Sequence, residues 1–355
     1  MRLNKKYLIP SLLILTLISL IFAYNFLFDN SSKNIKTNLP ESKSGFFLGT
    51  YVDINLYDNS SEKIFTESFN ILEDIESKMS INIDTSEVSN INKNAGTSAL
   101  KVSPETFFVI RKGLYYSSLS KGHFDISIGS LVKLWGIGSE HAKVPSREEI
   151  QKSKNTINYK NILLDEKNQT VKLANKGMII DLGGIAKGYA ADKISAFLKS
   201  KQIKSAIINL GGNVYALGSK PNGSTWGIGI QDPFEPRGKH FGIIHVKNKS
   251  IVTSGIYERF LEKDGKKYHH ILSPFTGYPV ETSLVSVTII ADNSIDADGL
   301  STTIFSLGLN DGKKLVESLN GIDAIFVNNK KEVYVTSGLK NNFLITDNYF
   351  ILNDN

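Results

Sequence analysis

The chain has 355 residues, 41% of them apolar, enough to bury one large core or two modest ones. It has no cysteine, which excludes disulfides, thiolate metal sites and a cysteine nucleophile. Half of the formal net charge of +6 sits on Arg2, Lys5 and Lys6; the rest is nearly balanced, with no basic stripe and no nucleic-acid motif, so no nucleic-acid partner is expected.

The first element in chain order is the uncharged run from Tyr7 to Phe28, behind the basic "MRLNKK". A bilayer needs about 20 apolar residues, and the basic flank stays in the cytoplasm. A cleaved signal peptide is the rival reading, but Ala23 follows Ile21-Phe22 and lacks a small residue at −3. Residues 1–28 are therefore expected to be a signal anchor in the cell membrane, with the rest on the extracytoplasmic side. The polar stretch 29–45 reads as a flexible tether, and 46–345 as the folded domain.

Within that domain, "FFLGTYVDINLY" alternates Val52, Ile54 and Leu56 with polar neighbours and predicts a strand. Residues 62–79 put Ile64, Phe65, Phe69, Leu72, Ile75 and Met79 on one helical face, and a second helix is expected over 104–120, opened by Pro104. "TWGIGIQDP" and "FGIIHVKNKSIVTSG" read as strands, and "YERFLEKDGKKYHHIL" as a hairpin turning at Asp264-Gly265. Strands outnumber helices and come in runs. The fold class is therefore α+β: one domain of mixed and antiparallel sheets with packed helices.

Five segments carry chemistry. In "GHFDISIGSLVKLWGIG" (122–138) four glycines leave little room for a regular element, and Asp125 between Phe124 and Ile126 needs a partner. "IIDLGGIAKGYAADKI" (179–194) reads as a short strand ending at Asp181, a glycine turn and a helix with Lys187 one turn in; this suits a phosphate, although the spacing is neither a dinucleotide fingerprint nor a Walker loop. "NLGGNVYALG" (209–218) is a hairpin turn. In "YHHILSPFTGYP" (268–279), His269 and His270 face opposite sides if both lie on a strand. Finally, "DADGLSTTIFSLG" (296–308) predicts a helix starting near Asp296, with Leu300, Ile304 and Leu307 on its apolar stripe. There Asp298 and Thr302, four apart, point to one place, either as helix capping or as a site for a hard cation such as Mg²⁺.

In this order, and together with "LGTYVDI" and "MSINIDTSEVSNIN", these segments resemble the ApbE-type flavin transferases, over residues 48 to 308. The resemblance implies an enzyme that takes FAD as substrate, attaches its FMN half through a phosphoester to a Thr or Ser of an exported acceptor protein, and releases AMP. It places Mg²⁺ on Asp298, Thr302 and the backbone carbonyl of Gly184. Flavin contacts fall on Leu48, Asn82, Phe124, Asp125, Asp181, Lys187 and Leu272, and the family histidine on His270. Ser130 stands where the family usually has Pro, and Ser273 where it usually has Asp. The alternatives are a Mg²⁺-dependent FAD pyrophosphatase giving FMN and AMP, and a flavin carrier without catalysis.

Overall fold

The computed structural model describes residues 39–353, so the expected anchor at 1–28 lies outside the described residues. Among those described, no helix is long and apolar enough to cross a membrane. β1 (Glu41–Phe47) pairs antiparallel with β2 (Thr50–Leu56), so regular structure begins at Glu41 rather than near Phe46 and takes in the end of the stretch read as tether. The strand is hard to see in sequence because its first residues are polar. Ser42 and Ser44 donate to Asn55 and Asp53 across the ladder, at 2.6 and 2.5 Å.

The first half of the domain is mostly helical. α1 (Glu62–Met79) and α2 (Glu87–Lys93) are capped by the hydroxyls of Ser61 and Ser86. β3 (Leu100–Lys101) leads into α3 (Pro104–Leu119), with Pro104 in its first turn, and then α4 (Gly129–Trp135) and α5 (Arg147–Lys154). β4 (Ile162–Asp165) and β5 (Thr170–Leu173) join β3 in a small sheet, and α6 (Ala186–Ser200) follows the glycine turn.

Strands dominate the second half: β6 (Ser205–Leu210), β7 (Asn213–Gly218), β8 (Trp226–Gln231), β9 (His240–Val246) and β10 (Lys249–Gly255). The hairpin β11 (Phe260–Lys263) and β12 (Lys266–His269) turns at Asp264 and Gly265, both at positive φ, as the sequence predicts. β13 (Leu284–Ala291), α7 (Ser294–Glu317), β14 (Asp323–Asn328), β15 (Glu332–Val335), β16 (Phe343–Ile345) and β17 (Ile351–Asn353) complete the described chain.

Nine strands form one sheet in the order β1-β2-β6-β7-β10-β13-β14-β15-β17, antiparallel throughout except for β15 with β17. Its two faces belong to two cores, separated by the two-residue period of a strand. On β14, Ala324 and Phe326 face the core shared with α1, α6 and α7, while Ile325 and Val327 face the small sheet β16-β9-β8. The central strand β13 is buried at all eight positions, as a strand covered on both faces must be. The observed class is the expected α+β.

α6 and α7 lie against each other and cap each other. Asn293, before α7, makes no side-chain cap. Instead Asp192 of α6 accepts from the N–H groups of Ser294 and Ile295, at 2.6 and 2.9 Å. In return Asp298 of α7 accepts from the N–H of Gly188 in the first turn of α6, at 2.9 Å, where Ile185 offers no side-chain cap. Gly188 makes this approach possible: a Cβ there would lie 2.6 Å from the Ile295 Cα and 2.7 Å from the Asp298 Cβ. Alanine is intrinsically the better helix former by about 1 kcal/mol. Gly188→Ala should nonetheless cost about 1–3 kcal/mol, because backbone must move to admit the methyl. Chemical denaturation checks this; an unchanged or raised midpoint would show that the helices separate without cost.

Candidate active site

A cleft of about 490 Å³ opens where the β1–β2 turn, the loop before α4, the glycine turn before α6, the end of β10, the β11–β12 hairpin and α7 converge. Asp181, Gly184 and Lys187 line it from the glycine turn and α6, and Asp298 and Thr302 from α7. Leu48, Phe124, Asp125, His270 and Leu272 line the remaining walls. Asn82 does not. It is exposed in the loop between α1 and α2, where its N–H binds the Ser80 hydroxyl.

At the α6–α7 end the side chains are set for anions and hard cations. The expected strand before Asp181 is reduced to a single parallel bridge between Ile128 and Ile179, after which Asp181 accepts from the Gly183 N–H at 2.8 Å. Lys187 reaches the Gly183 carbonyl at 3.0 Å and the Asp298 carboxylate at 3.4 Å. α7 begins at Ser294, slightly before the predicted start, so Asp298 sits in its second turn and caps α6 rather than its own helix. Its Oδ1 meets only Lys187 among the bonds described. Ser301 and Thr303 tie their hydroxyls back to helix carbonyls, but Thr302 points its hydroxyl outward, 3.3 Å from Ser254. The glycine turn comes close, since a Cβ on Gly184 would stand 3.9 Å from the Thr302 Oγ1.

These groups fit a hard cation: one carboxylate oxygen, one hydroxyl and the carbonyls of a glycine turn are the oxygen donors that Mg²⁺ accepts, with the rest of its shell left to water and phosphate. Among the described residues there is no cluster of three or more His, Asp or Glu, so a metal here would rest on a single carboxylate. Burial pushes the Asp181 carboxyl above its usual range, opposed by the Gly183 N–H and the Lys187 charge.

The two histidines face opposite ways, although only His269 lies on β12 and His270 follows its end. His269 turns inward, its Nε2 donating to the Val280 carbonyl at 3.1 Å and its ring standing edge-on to Phe305. His270 faces the cleft. Its Nδ1 lies 3.2 Å from the Arg259 carbonyl, and a carbonyl can only accept, so Nδ1 carries the proton and Nε2 keeps its lone pair. Desolvation lowers the His270 pKa to about 4, against the opposing hydrogen bond it donates to the Arg259 carbonyl.

Behind these groups lies a supporting wall. The glycines of 122–138 bound a short helix rather than preventing one. Gly129 opens α4 where a Cβ would stand 2.6 Å from the Ile179 side chain, and Gly136 closes it in the left-handed conformation. Asp125 has its partners: the N–H and hydroxyl of Ser127 and the N–H of Tyr159, while burial raises its pKa. Trp135 is fully buried and donates to the Gly277 carbonyl, holding the 273–279 loop against α4 beside Leu272. Ser273 lacks the charge of an aspartate but keeps the turn, accepting from the N–H groups of Phe275 and Thr276 at 3.3 Å each. Ser130 bonds the Ser153 carbonyl and the Thr156 hydroxyl, tying α4 to the end of α5.

Sequence reasoning passed over Ser254, Arg259 and the Arg237–Glu258 ion pair, all on the cleft. "SGIYER" carries no spacing signal; only the pairing of β10 and the hairpin brings it to the site.

An α+β domain whose cleft sets a lysine, an oxygen-rich corner and a histidine around one space has the groups that enzymes acting on phosphate esters use. The sequence model of the ApbE family matches residues 48–326, and the chain belongs to that family. It is 36% identical to an FAD:protein FMN transferase of Klebsiella pneumoniae over 84% of this chain and 93% of the relative. It is 34% identical to one of Treponema pallidum, over 88% and 91%. Among solved structures it resembles the ApbE protein of Thermotoga maritima, with a TM-score of 0.76 and 35% identity over 85% of this chain and 98% of that one. The flavin transferase ApbE from Vibrio cholerae superposes with a TM-score of 0.77 at 28% identity, over 85% and 99%.

The His270 environment generates a direct test. Because the folded protein holds the ring neutral below its ordinary value of 6.5, this contribution to stability is intact above about pH 6.5 and is lost as pH falls through about 4. Ring NMR should show His270 titrating near 4 as the Nδ1–H tautomer. A midpoint at the ordinary value would mean that the ring is solvated.

Proposed function

We propose that this chain is a Mg²⁺-dependent FAD:protein FMN transferase, acting on a Thr or Ser of an extracytoplasmic acceptor protein. One observation carries the reading: Lys187, Asp298 and Thr302 meet at one end of a cleft whose other wall presents the unprotonated Nε2 of His270. FAD is a pyrophosphate between two nucleoside-like halves. The acceptor oxygen bonds to the phosphorus on the riboflavin side, the P–O–P bridge breaks, AMP leaves and the hydroxyl proton goes to His270. Lys187 neutralises charge on the non-bridging oxygens, and the Gly183–Gly184 turn lets backbone approach the phosphates. Asp298, Thr302 and the Gly184 carbonyl would hold Mg²⁺, which when bound supplies Lewis-acid stabilisation of the same charge. Phe124, Asp125, Asp181, Leu48 and Leu272 form the flavin side of the cleft, and Asn82 enters the proposal by resemblance only.

The deciding assay incubates the protein with FAD, Mg²⁺ and a flavin-acceptor domain and weighs the acceptor. A mass gain of one FMN supports transfer; free FMN and AMP without the adduct point to hydrolysis, and intact FAD to a carrier. Asp298→Ala should abolish Mg²⁺-dependent transfer while weak FAD binding remains, and Thr302→Ala, losing a neutral oxygen, should do so more mildly. His270→Ala should slow transfer by roughly 10²–10⁴-fold with little change in FAD affinity. Full activity in Asp298→Ala would leave that residue as the cap of α6 alone.

The extracytoplasmic placement rests on the 1–28 run, proposed as a cell-membrane anchor. Fractionation should leave the full-length protein in the membrane pellet, open to external protease. A soluble mature form beginning after Ala23 would make the segment a signal peptide instead.

A further inference from the structure

The β1–β2 turn is unusual for a substrate-facing wall. Leu48 holds φ 52 and Gly49 φ 68, the left-handed pair that a two-residue hairpin turn demands, and a leucine there is strained. Such a conformation persists only where its surroundings hold it. One of the groups holding it comes from a distant part of the chain: Arg259 donates from Nη2 to the Gly49 carbonyl at 2.9 Å.

Arg259 stands at the open end of the β11–β12 hairpin, just outside the last ladder pair, Phe260 with His269. Its own carbonyl receives both the His270 N–H, at 3.1 Å, and the His270 Nδ1, at 3.2 Å. Between these ends its stem passes over the loop after α4, where a Cβ on Gly138 would lie 3.2 Å from the Arg259 Cδ. One residue thus touches the turn that carries Leu48, the exit of α4 and the histidine of the cleft.

We infer that Arg259 is a positioning residue, a strut that holds the strained Leu48–Gly49 turn and the His270 imidazole in fixed relation across the mouth of the cleft. The side chain does the holding at the turn and the main chain at the histidine, so truncating the side chain frees the turn while the main-chain bonds to His270 remain. A rival role is direct contact with substrate phosphate, since the guanidinium lines the cleft. The two differ in geometry: a single bond to a carbonyl can be remade by lysine, whereas a bidentate grip on phosphate cannot.

The inference rests on FAD as the substrate only in its binding arm. Amide hydrogen exchange at residues 48–50 of the full chain without flavin reads the strut directly. In Arg259→Ala exchange there should accelerate several-fold, with the melting temperature unchanged because the side chain is exposed, and Arg259→Lys should restore most of the protection. The Kd for FAD should rise about tenfold in Arg259→Ala, the scale of one charge-assisted hydrogen bond, and recover within about threefold in Arg259→Lys. Wild-type exchange in Arg259→Ala would overturn the strut; if FAD binding then fell in both variants, Arg259 would be a ligand of the substrate. Wild-type protein that binds no FAD would instead count against the proposed function, with the exchange result still deciding the strut.

Discussion

The site depends on the mutual capping of α6 and α7. Each helix begins without a side-chain cap of its own, and each takes a carboxylate from the other: Asp192 for the start of α7 and Asp298 for the start of α6. An uncapped first turn buried at a helix crossing would leave orphan N–H groups without water, so neither helix can move without exposing the other. Gly188 sets how closely they meet. This geometry brings the positive end of α6, Lys187, the glycine turn and the Oδ1 of Asp298 together.

The same arrangement reconciles two roles that compete in the sequence. The two oxygens of Asp298 do different work: Oδ2 closes α6, and Oδ1 faces Lys187 and the cleft. Thr302 adds a hydroxyl that, unlike those of Ser301 and Thr303, makes no bond to its own helix. Across the cleft, desolvation keeps His270 neutral, and the Arg259 carbonyl, by accepting from Nδ1, leaves Nε2 open. Lys187 and the open Nε2 of His270 therefore face one space.

Much of this was legible beforehand, for identifiable reasons. α1 and the two glycine or Asp-Gly hairpins follow from periodicity and turn chemistry, and the opposite facing of His269 and His270 from alternation carried one residue past the end of β12. Adjacent chemistry-bearing residues within one segment, such as Asp298 with Thr302 or the glycine turn with Lys187, were also readable. What escaped depends on contacts distant in sequence or on hidden patterns. The first five residues of β1 are polar and pair through serines, so no hydrophobic alternation marks them. Glycines at the ends of α4 read as breakers because Ile179, which demands Gly129, is far along the chain. Arg259 gains its partner only when the hairpin folds back on the first turn of the domain. Asn82 was assigned by resemblance alone, and nothing in its own segment tied it to the cleft.

The central claim is that Lys187 and Asp298, brought together by the helix crossing, act as one unit on the phosphates. A double-mutant cycle on kcat/KM for FMN transfer tests it most directly, using Lys187→Met, Asp298→Asn and the pair. Residues acting as a unit should couple by about 1 kcal/mol or more, so that the double variant is little worse than the poorer single one. Strictly additive losses would contradict the account and make the two residues independent contributors that merely lie close together.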